Sequence, residues 1–600
     1  MENNLVKIKT IKDKLIEIIK QPLIYVIIIC IFMQIKIYKT VPEYVMTSDS
    51  YTYAEEYTEN IFKGQVSALR TPVYPYFIKL IAKIGGQENL LRNVAIAQKV
   101  LFIVTLILFY FCLKKIINNN IIISSALTIV FGICPFTVLW NVMILTEALS
   151  IFESVLLSFV TILYLKEPKK STAFFIGIIV FGMIMTRPSF IYLLPIYILF
   201  WVLRLLFNKK EKEVLAGLTS CIICTALLLG YCGLMKNQHG EFSITAVSYI
   251  NNAVTVINSN SYKHASNKEM VELVDNIKGE REDGDICWTA FNALKEKYSV
   301  DELKEFASSA VKNDDGYITF LGKKTLDLGT YTIGTAGYIP NDILINGEYA
   351  NQVYSYIGNL VMPINFALVY LAIAISIIYL LYDIFKNARI NWYTAFFVAL
   401  IFANLFTLIV GAPFEPQRLF VSSIVQVLLL IGYTIAKGVN YNKINNKKQE
   451  IDKENNTFYK LFLEKTSDGK IQFFRYLFVG GFAAVVNIGS LYIFKEVLNM
   501  YYLIANALGF VLGLLTNYLL SKWLVFAKEN SMNGAVEFTI YLLIGILGLG
   551  FDTLFMWIFT DKLDLYFMIS KIASTVLVFI WNFFARKGMY AMANKLRREK

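Results

Sequence analysis

The feature that most constrains this chain is a series of apolar stretches, most of them near twenty residues long. A helix of about 20 apolar residues is long enough to cross the hydrocarbon core of a bilayer. Only 17% of the residues are charged, whereas soluble domains average about a quarter. The sequence therefore predicts an all-α polytopic membrane protein.

We predict fourteen membrane spans from these stretches. The lysine-rich first twenty residues lack a cleavage site of small residues, so the first span is expected to be a retained anchor. The spans lie at about residues 22–38, 94–113, 121–138, 148–165, 172–186, 190–207, 214–235, 359–382, 392–410, 419–436, 476–497, 501–520, 538–559 and 565–584.

The distribution of lysine and arginine indicates which side of the membrane each loop faces. Lys7, Lys9, Lys12 and Lys14 precede the first span, and "KEPKK", "RLLFNKKEK" and the C-terminal "NKLRREK" fall on the same side of the predicted membrane. Cytoplasmic loops are enriched in Lys and Arg. We therefore predict a multi-pass protein of a bacterial cytoplasmic membrane with both termini inside. This explains the net charge of +12, and we predict no nucleic-acid partner.

The polar segments divide the chain into domains. Residues 437–470 are rich in Asn, Lys and Glu, as linkers are, and we predict a cytoplasmic linker between a ten-span domain (1–436) and a four-span domain (471–600). On the outer face, residues 39–93 form a loop after the first span. Residues 236–358 mix polar helical patterns with glycine-rich turns, which predicts a small extracytoplasmic subdomain.

The last four spans contain an internal repeat, in which a single constant shift overlays the second half on the first. "FFRYLFVGG" (473–481) aligns with "FTIYLLIGI" (538–546), and "TNYLLSKW" (516–523) aligns with "WNFFARKG" (581–588). Each copy has two spans, so both copies point the same way across the membrane, as in transporters built from parallel repeats.

Polar residues occupy matching positions in this repeat: Asn487 with Asp552, Asn517 with Asn582, and Lys522 with Lys587. Polar groups inside membrane spans face a cavity or a partner helix. For the asparagines, hydrogen bonding between helices is the simpler interpretation, whereas Asp552 has no basic residue on its own span. Lys522, Arg586 and Lys587 lie at the cytoplasmic ends, where basic side chains commonly extend to the interface.

Residues 471–595 resemble the GtrA family of four-span membrane proteins through "FFRYLFVGGFAAVVNIGSLYIF", "NALGFVLGLLTNYLLSKWLVF" and "NFFARK". The resemblance implies translocation of a polyprenyl-phosphate-linked sugar. On that basis Asn517, Lys522, Asn582 and Lys587 would meet the lipid phosphate, and Asn487 and Asp552 would lie along its path.

Five charged residues border the apolar spans on the predicted outer face: Asp49, Arg70, Glu147, Arg187 and Arg418. Arginine neutralises and orients phosphate in a bidentate manner, and a carboxylate can take the proton of an attacking hydroxyl. The simpler interpretations are a solvated Asp49, a Glu147 that starts a helix and arginines that extend to the interface. A local pair between Glu415 and Arg418 is a further alternative.

Residues 20–436 resemble GT-C glycosyltransferases that use polyprenyl-phosphate sugars, related to protein mannosyltransferases and aminoarabinose transferases. The resemblance depends on Asp49 in the first outer loop, "LRTPVYPYF", Thr146-Glu147 and Arg187-Pro188. It supports a catalytic role for Asp49 and Glu147, while donor-phosphate binding by Arg70, Arg187 and Arg418 is the prediction from their chemistry and positions. "RTPVYPYFIKL" is then expected to be a membrane-surface helix that starts near Pro72.

The sequence thus predicts a membrane glycosyltransferase. Its donor would be a polyprenyl-phosphate monosaccharide made by a cytoplasmic synthase, and its acceptor a glycan, lipid or protein outside the cell. The reaction would be an in-line displacement with inversion. A transporter without transferase chemistry and a glycan polymerase or ligase are the alternatives. No cofactor is identified: His239 and His264 lack ligand spacing, so no zinc site is predicted. A divalent ion that bridges Asp49 and Glu147 is an open alternative without support in the sequence.

Overall fold

The regular structure of this chain is helical. The computed structural model describes residues 21–56, 63–207, 212–280, 286–314, 316–329, 345, 347–360, 366–387, 390–414, 416–444, 464, 466, 468–492, 502–525, 534–559 and 567–598. These residues contain no strand beyond one isolated bridge between Val45 and Met143. Contacts divide the chain into two compact units, residues 1–383 with 390–449, and residues 384–389 with 450–600.

The first group of helices runs from α1 to α20, and the 3₁₀ turns Leu139–Asn141, Pro188–Tyr192, Ser261–His264 and Val421–Ser423 lie between them. The helices are α1 (Pro22–Tyr38), α2 (Ser48–Glu56), α3 (Val73–Gly85), α4 (Leu90–Ile116), α5 (Ile121–Ile133), α6 (Pro135–Val138), α7 (Glu147–Lys166), α8 (Lys170–Thr186), α9 (Leu193–Phe207), α10 (Val214–His239), α11 (Val247–Asn258), α12 (Lys268–Glu280), α13 (Ile286–Lys297), α14 (Val300–Asn313), α15 (Tyr317–Leu328), α16 (Gly347–Leu360), α17 (Phe366–Asn387), α18 (Trp392–Gly411), α19 (Pro416–Phe420) and α20 (Ile424–Ile444).

The polytopic helical fold predicted from the sequence is confirmed. Within the described residues, six helical segments are long and apolar enough to cross a membrane, and shorter apolar helices accompany them. The six are Leu90–Ile116, Glu147–Lys166, Pro188–Phe207, Val214–His239, Trp392–Gly411 and Arg418–Lys437. Of these, Glu147–Lys166 and Arg418–Lys437 are the most deeply enclosed by protein. Their first residues, Glu147 and Arg418, are buried.

The prediction of one continuous span over residues 121–138 is wrong. Helix α5 ends at Ile133, Cys134 is extended, and a new short helix begins at Pro135. A proline has no backbone N–H and clashes with the preceding turn, so the helix stops before it. The 3₁₀ turn over Leu139–Asn141 then leads the chain toward Glu147.

A group of polar helices lies within residues 236–358. Helices α11 to α14 share a hydrophobic core that includes Val254, Phe291 and Phe306. Leu69 and Phe414, which neighbour two of the candidate arginines, pack against that core. The Ala246 amide also donates a hydrogen bond of 2.8 Å to the Ala68 carbonyl. This helical group therefore contacts the segments that carry Arg70 and Arg418.

The described residues of the second unit form four long helices, α21 (Gly469–Tyr492), α22 (Tyr502–Leu520), α23 (Gly534–Trp557) and α24 (Phe567–Arg598), and a π-helical turn over Ser521–Val525. The sequence repeat aligns the first and last residues of α21 with those of α23, and the first residue of α22 with that of α24. The helices thus follow the repeat. Most of the predicted linker, residues 445–463, lies outside the described residues.

Candidate functional site

The five charged residues selected on the predicted outer face come together in one cluster. Asp49 lies in the first turn of α2, and Arg70 precedes α3. Glu147 is the first residue of α7, Arg187 follows the last residue of α8, and Arg418 lies in α19. Asp49, Glu147, Arg187 and Arg418 therefore lie in a short helix or at a helix end, whereas Arg70 lies in the non-helical segment that leads into α3.

Arg418 is the centre of this cluster because it contacts both carboxylates. Its Nε donates to Glu147 Oε1 at 2.6 Å, and its Nη2 donates to Asp49 Oδ2 at 2.8 Å. Arg187 Nη2 donates to the same Glu147 oxygen at 3.0 Å, and Arg70 Nη2 donates to Asp49 Oδ1 at 2.8 Å. Four charge-assisted hydrogen bonds thus join five residues from five different helices or helix ends. We call these residues the outer cluster.

The Arg418 guanidinium lies between the two carboxylates, where the sequence left a divalent ion as an open alternative. No group of three or more His, Cys, Asp or Glu side chains suited to a metal ion occurs in the described part of the chain. The described donor set around Asp49 and Glu147 is cationic, which suits an anion better than a metal.

The outer cluster has an excess of positive charge and unused hydrogen-bonding capacity. It holds three guanidinium groups and two carboxylates. Glu147 is fully buried, and Arg187 and Arg418 are 7% and 6% exposed. Arg187 Nη1 and Glu147 Oε2 are buried and have no hydrogen-bond partner among the described residues. Buried polar groups normally find partners, so the cluster is suited to a ligand that brings one negative charge and accepts hydrogen bonds.

Local sequence accounts for the positions of Arg187 and Arg70. The residue before a proline is driven to extended geometry, and Arg187 before Pro188 has φ −153° and ψ 119°, which turns the chain out of α8. The Ser67 hydroxyl accepts hydrogen bonds from the amides of Leu69 and Arg70 at 3.1 and 2.9 Å. Both arginines therefore project from backbone turns that their neighbours fix.

A short backbone pairing holds two of the loops in register. The Val45 amide donates to the Val142 carbonyl at 2.8 Å, and the Ile144 amide donates to the Val45 carbonyl at 3.1 Å. Val45, Val142 and Ile144 are all buried. This pairing brings the loop before Asp49 against the loop before Glu147.

Gln98 on α4 ties the Glu147 loop to α3. Tyr74 Oη donates to Gln98 Oε1 at 2.8 Å, and Gln98 Nε2 donates to the Met143 and Asn141 carbonyls at 2.9 and 3.2 Å. Both Tyr74 and Gln98 are fully buried. Most of "RTPVYPYFIKL" is helical: α3 starts at Val73 with Pro72 as its N-cap residue, and Arg70 and Thr71 precede it. The predicted start of the helix near Pro72 is thus found, and its place at the membrane surface stays a prediction.

The arginines determine the protonation of Asp49. Burial alone would raise the pKa of this carboxyl, but the positive charges and hydrogen bonds of Arg418 and Arg70 outweigh burial and lower the pKa to about 2. Asp49 is therefore ionised throughout the physiological range. Its side chain is still 34% exposed, so it lies at the open side of the cluster, whereas Glu147 lies at the closed side.

Several site residues were not selected from the sequence. Arg70 stacks on the Tyr53 ring, with its guanidinium carbon 4.3 Å from the ring centroid, and its Nε donates to Thr52 Oγ1 at 2.7 Å. Glu153, less than two turns after Glu147, accepts from Thr186 Oγ1 at 2.7 Å. The motif "SDSYTY" contains Thr52 and Tyr53 three and four residues after Asp49, a helical spacing that could have indicated a shared face.

The candidates in the second unit separate into different environments. Asn517 Oδ1 accepts from Tyr541 Oη at 2.8 Å, whereas Lys522 Nζ forms an ion pair with Glu537 at 2.5 Å. The Asn582 side chain faces Gly548, and its Oδ1 has no partner among the described residues. The side chains of Asn487 and Asp552 lie outside the described part.

Lys587 and Arg586 are adjacent in sequence but differ in surroundings. Lys587 Nζ lies close to Gly469 at the start of α21. Arg586 was expected to extend to the interface, but it is only 2% exposed. That expectation is wrong because Tyr476 and Tyr541 enclose the guanidinium: it lies 3.6 Å from the Tyr541 ring centroid and donates to Tyr476 Oη.

Comparison with known proteins gives two matches in different parts of the chain. Residues 69–230 match the family model described as dolichyl-phosphate-mannose-protein mannosyltransferase, and residues 475–590 match the GtrA/DPMS transmembrane domain. The chain joins a mannosyltransferase-like region to a GtrA-like region. The mannosyltransferase-like region contains Arg70, Glu147 and Arg187, whereas Asp49 and Arg418 lie outside the matched residues.

One curated relative adds a membrane context. The chain is 29% identical over 116 residues to the uncharacterized membrane protein YwcD of Bacillus subtilis (strain 168), a stretch that covers 19% of this chain and 91% of the relative. Together the two regions support a multi-pass membrane protein of the glycosyltransferase type, and the mannosyltransferase-like region implies a polyprenyl-phosphate-linked sugar as donor.

Proposed function

We propose that this protein transfers a monosaccharide from a polyprenyl-phosphate donor to an acceptor outside the cytoplasmic membrane, and that its GtrA-like region brings the donor lipid to the outer leaflet. The observation that carries this proposal is the outer cluster: three arginines around two carboxylates, with one excess positive charge. A polyprenyl-phosphate sugar is a phosphodiester with one negative charge. Its binding would neutralise the excess, and its oxygens could accept from the unpartnered Arg187 Nη1.

The reaction requires one proton transfer and one displacement. The acceptor hydroxyl gives its proton to Asp49, and its oxygen forms the new glycosidic bond to the anomeric carbon. The bond between that carbon and the phosphate oxygen breaks, and its electron pair leaves with polyprenyl phosphate. A single in-line displacement inverts the anomeric configuration. Arg187 and Arg418 stabilise the charge that develops on the leaving phosphate, which is the kind of preorganised stabilisation that lowers such barriers.

The geometry also suggests how the base is kept inactive before the donor binds. Both oxygens of Asp49 accept from arginines, so the carboxylate is weakly basic. A donor phosphate competes for the Arg418 and Arg70 guanidinium groups. Each hydrogen bond that moves from Asp49 to the phosphate raises the pKa of Asp49 and makes it a better proton acceptor. Donor binding would therefore activate the base for the transfer step.

Glu147 has a positioning role in this scheme. It is fully buried, and its Oε1 accepts from both Arg187 and Arg418. It holds the two guanidinium groups in one orientation and lies on the closed side of the cluster. This arrangement leaves Asp49, the more exposed carboxylate, to contact the acceptor.

The test is an incubation of purified full-length protein with a panel of polyprenyl-phosphate sugars and measurement of released polyprenyl phosphate. The wild-type protein should release it with at least one sugar in the presence of acceptor, and Asp49→Asn should reduce the rate by about 10²-fold or more, as expected for loss of a general base. Glu43→Gln is a matched control, because Glu43 lies in the loop directly before α2 and forms an exposed pair with Arg92. Full activity of Asp49→Asn would refute the assignment.

A further inference from the structure

Arg586 is a deeply enclosed cation of the second unit. Its side chain is 2% exposed, and two tyrosine rings lie on it, that of Tyr541 with its centroid 3.6 Å from the guanidinium carbon and that of Tyr476 at 5.5 Å. Its Nη1 donates to Tyr476 Oη and, at 3.4 Å, to Asn517 Oδ1. Its Nε is buried and has no partner among the described residues.

The residues around Arg586 are related by the internal repeat. Tyr476 and Tyr541 occupy equivalent positions on α21 and α23, and Asn517 and Asn582 occupy equivalent positions on α22 and α24. The position equivalent to Arg586 is Ser521, whose hydroxyl donates to Asn517 Oδ1 at 3.0 Å. The two copies thus supply the same tyrosine and asparagine, and one copy alone adds a charge. In transporters built from repeats, substrates bind at the interface between the copies.

The described surroundings of Arg586 contain no carboxylate within ion-pair distance. Glu537 is fully buried nearby on α23, but its oxygens are taken by Lys522 Nζ at 2.5 Å and by the hydroxyl of Tyr590. A guanidinium enclosed in a membrane protein with only neutral partners is costly. Cation–π contact with tyrosine recovers only part of that cost.

We propose that Arg586, with Tyr476, Tyr541 and Asn517 around it, binds the phosphate group of a polyprenyl lipid at the interface of the two repeats. The neutral oxygens that now accept from Arg586 can be replaced by phosphate oxygens, and charge-assisted hydrogen bonds are roughly twice as strong as neutral ones. The unpartnered Asn582 Oδ1, one helical turn from Arg586, can accept from a hydroxyl of an attached sugar. The choice of a polyprenyl lipid as the ligand rests on the proposed function.

This assignment differs from the expectation drawn from the sequence, in which the lysines meet the phosphate. The charge of Lys522 is already balanced by Glu537. Arg586 instead combines a planar guanidinium, a donor atom without a described partner, and neutral tyrosine and asparagine side chains as its described contacts. A bidentate cation in such a site selects phosphate geometry, whereas lysine acts as a point charge.

The test uses full-length protein in phosphatidylcholine nanodiscs and a diazirine-bearing polyprenyl phosphate. After illumination, labelled peptides are assigned to residues 21–444 or 468–598. The wild-type protein should be labelled in both regions. Arg586→Met should lower labelling within 468–598 at least tenfold and leave labelling within 21–444 unchanged. Unchanged labelling of 468–598 in Arg586→Met would overturn this inference, whereas absence of labelling in 21–444 of the wild type would instead count against the proposed function.

Arg475→Met is the matched control. Arg475 belongs to the same unit and is also 2% exposed, but its guanidinium donates to the Leu524 and Glu464 carbonyls at 2.8 and 2.7 Å. This variant should lower the apparent melting temperature and leave the labelling of folded protein intact. Arg586→Met should not lower the melting temperature measured without lipid. If Arg586→Met lowers the melting temperature as strongly as Arg475→Met does, and labelling of 468–598 persists, then Arg586 has a structural role and the inference fails.

Competition identifies the source of the phosphate. Unlabelled polyprenyl phosphate should abolish labelling of 468–598, whereas the same concentration of inorganic phosphate or phosphatidylglycerol should leave most of it. Equal competition by inorganic phosphate would contradict a lipid site. Equal competition by phosphatidylglycerol would contradict selectivity for the polyprenyl lipid.

Discussion

Arg418 and Glu147 lie 271 positions apart in the sequence, and the Nε of one is 2.6 Å from the Oε1 of the other. This contact joins the start of α7 to α19, at the N-terminal ends of the two most enclosed of the membrane-length helices in the described residues. Ser154 and Gln426 hold the same helices together about two turns further on, where Gln426 Nε2 donates to Ser154 Oγ at 2.8 Å. The charged pair is therefore fixed by the packing of the core.

The Arg187–Glu147 contact should stabilise the fold as well as serve the reaction. Arg187→Met removes one of two arginines that donate to a fully buried carboxylate. Because Arg418 still pairs with Glu147, the expected loss is that of one hydrogen bond to a charged group, about 1.5–3 kcal/mol. Glu147→Gln alters the shared acceptor, so the loss in the double variant should be smaller than the sum of the two single losses. Thermal unfolding of the two single variants and the double variant tests this, and additive losses would contradict the coupling. Transfer activity should stay low in all three.

The protonation of Asp49 should affect the pH profiles of kcat/KM and kcat differently. We call the pH below which each parameter falls its acid limit. The pH dependence of kcat/KM reports groups in the free enzyme, and that of kcat reports groups in the complex. Because arginines lower the pKa of Asp49 to about 2, kcat/KM should show no loss from this group above about pH 4. If the donor phosphate draws Arg418 and Arg70 away, the acid limit of kcat should lie at higher pH. Identical limits would show that the arginines stay on Asp49.

The same pKa shift has a defined effect on stability. The folded-state pKa is below the unfolded value of about 3.9, so the contribution of Asp49 is fully present above that value. It should be lost as the pH falls toward 2. Unfolding measured between pH 2 and 6 should therefore lose less stability in Asp49→Asn than in the wild-type protein. Equal acid sensitivity of the two proteins would argue against the arginine contacts in solution.

Tyr74 should act by positioning the loop before Glu147. Tyr74→Phe removes the hydroxyl that donates to Gln98 Oε1 and leaves that buried oxygen unsatisfied, at a cost of about 1–3 kcal/mol. We expect a lower kcat with an unchanged KM for the donor, because the arginines proposed to bind phosphate are not altered. Tyr76→Phe is the comparison, since Tyr76 lies on the same helix and is only partly buried. Equal effects of the two variants would refute a specific role of Tyr74.

The sequence was sufficient to select the members of the outer cluster because the surrounding chain is so apolar. Asp49, Glu147, Arg187 and Arg418 stood out as isolated charges at the ends of hydrophobic stretches, and alternate basic loops predicted one side for all of them. Their mutual contacts could not be predicted, because they depend on how helices far apart in sequence pack. The bridging position of Arg418 in particular appears only in three dimensions.

The buried position of Arg586 could not be predicted from the sequence in the same way. In the sequence it is an arginine near a predicted helix end, next to Lys587, and the simplest interpretation is a side chain that reaches the interface. Helix α24 continues beyond it to Arg598, so Arg586 lies inside the bundle. The signal that could have indicated this was the repeat itself, which aligns Tyr476 with Tyr541 and aligns Arg586 with the uncharged Ser521.

The most direct test of the central claim is the binding of a polyprenyl-phosphate hexose to the outer cluster, measured with a photoreactive donor as label recovered on residues 21–444. Arg418→Met should weaken this binding at least tenfold, since hydrogen bonds to charged groups contribute about 1.5–3 kcal/mol. Arg92→Met, which removes an exposed arginine paired with Glu43, should bind as the wild type does. Wild-type binding by Arg418→Met would contradict the account.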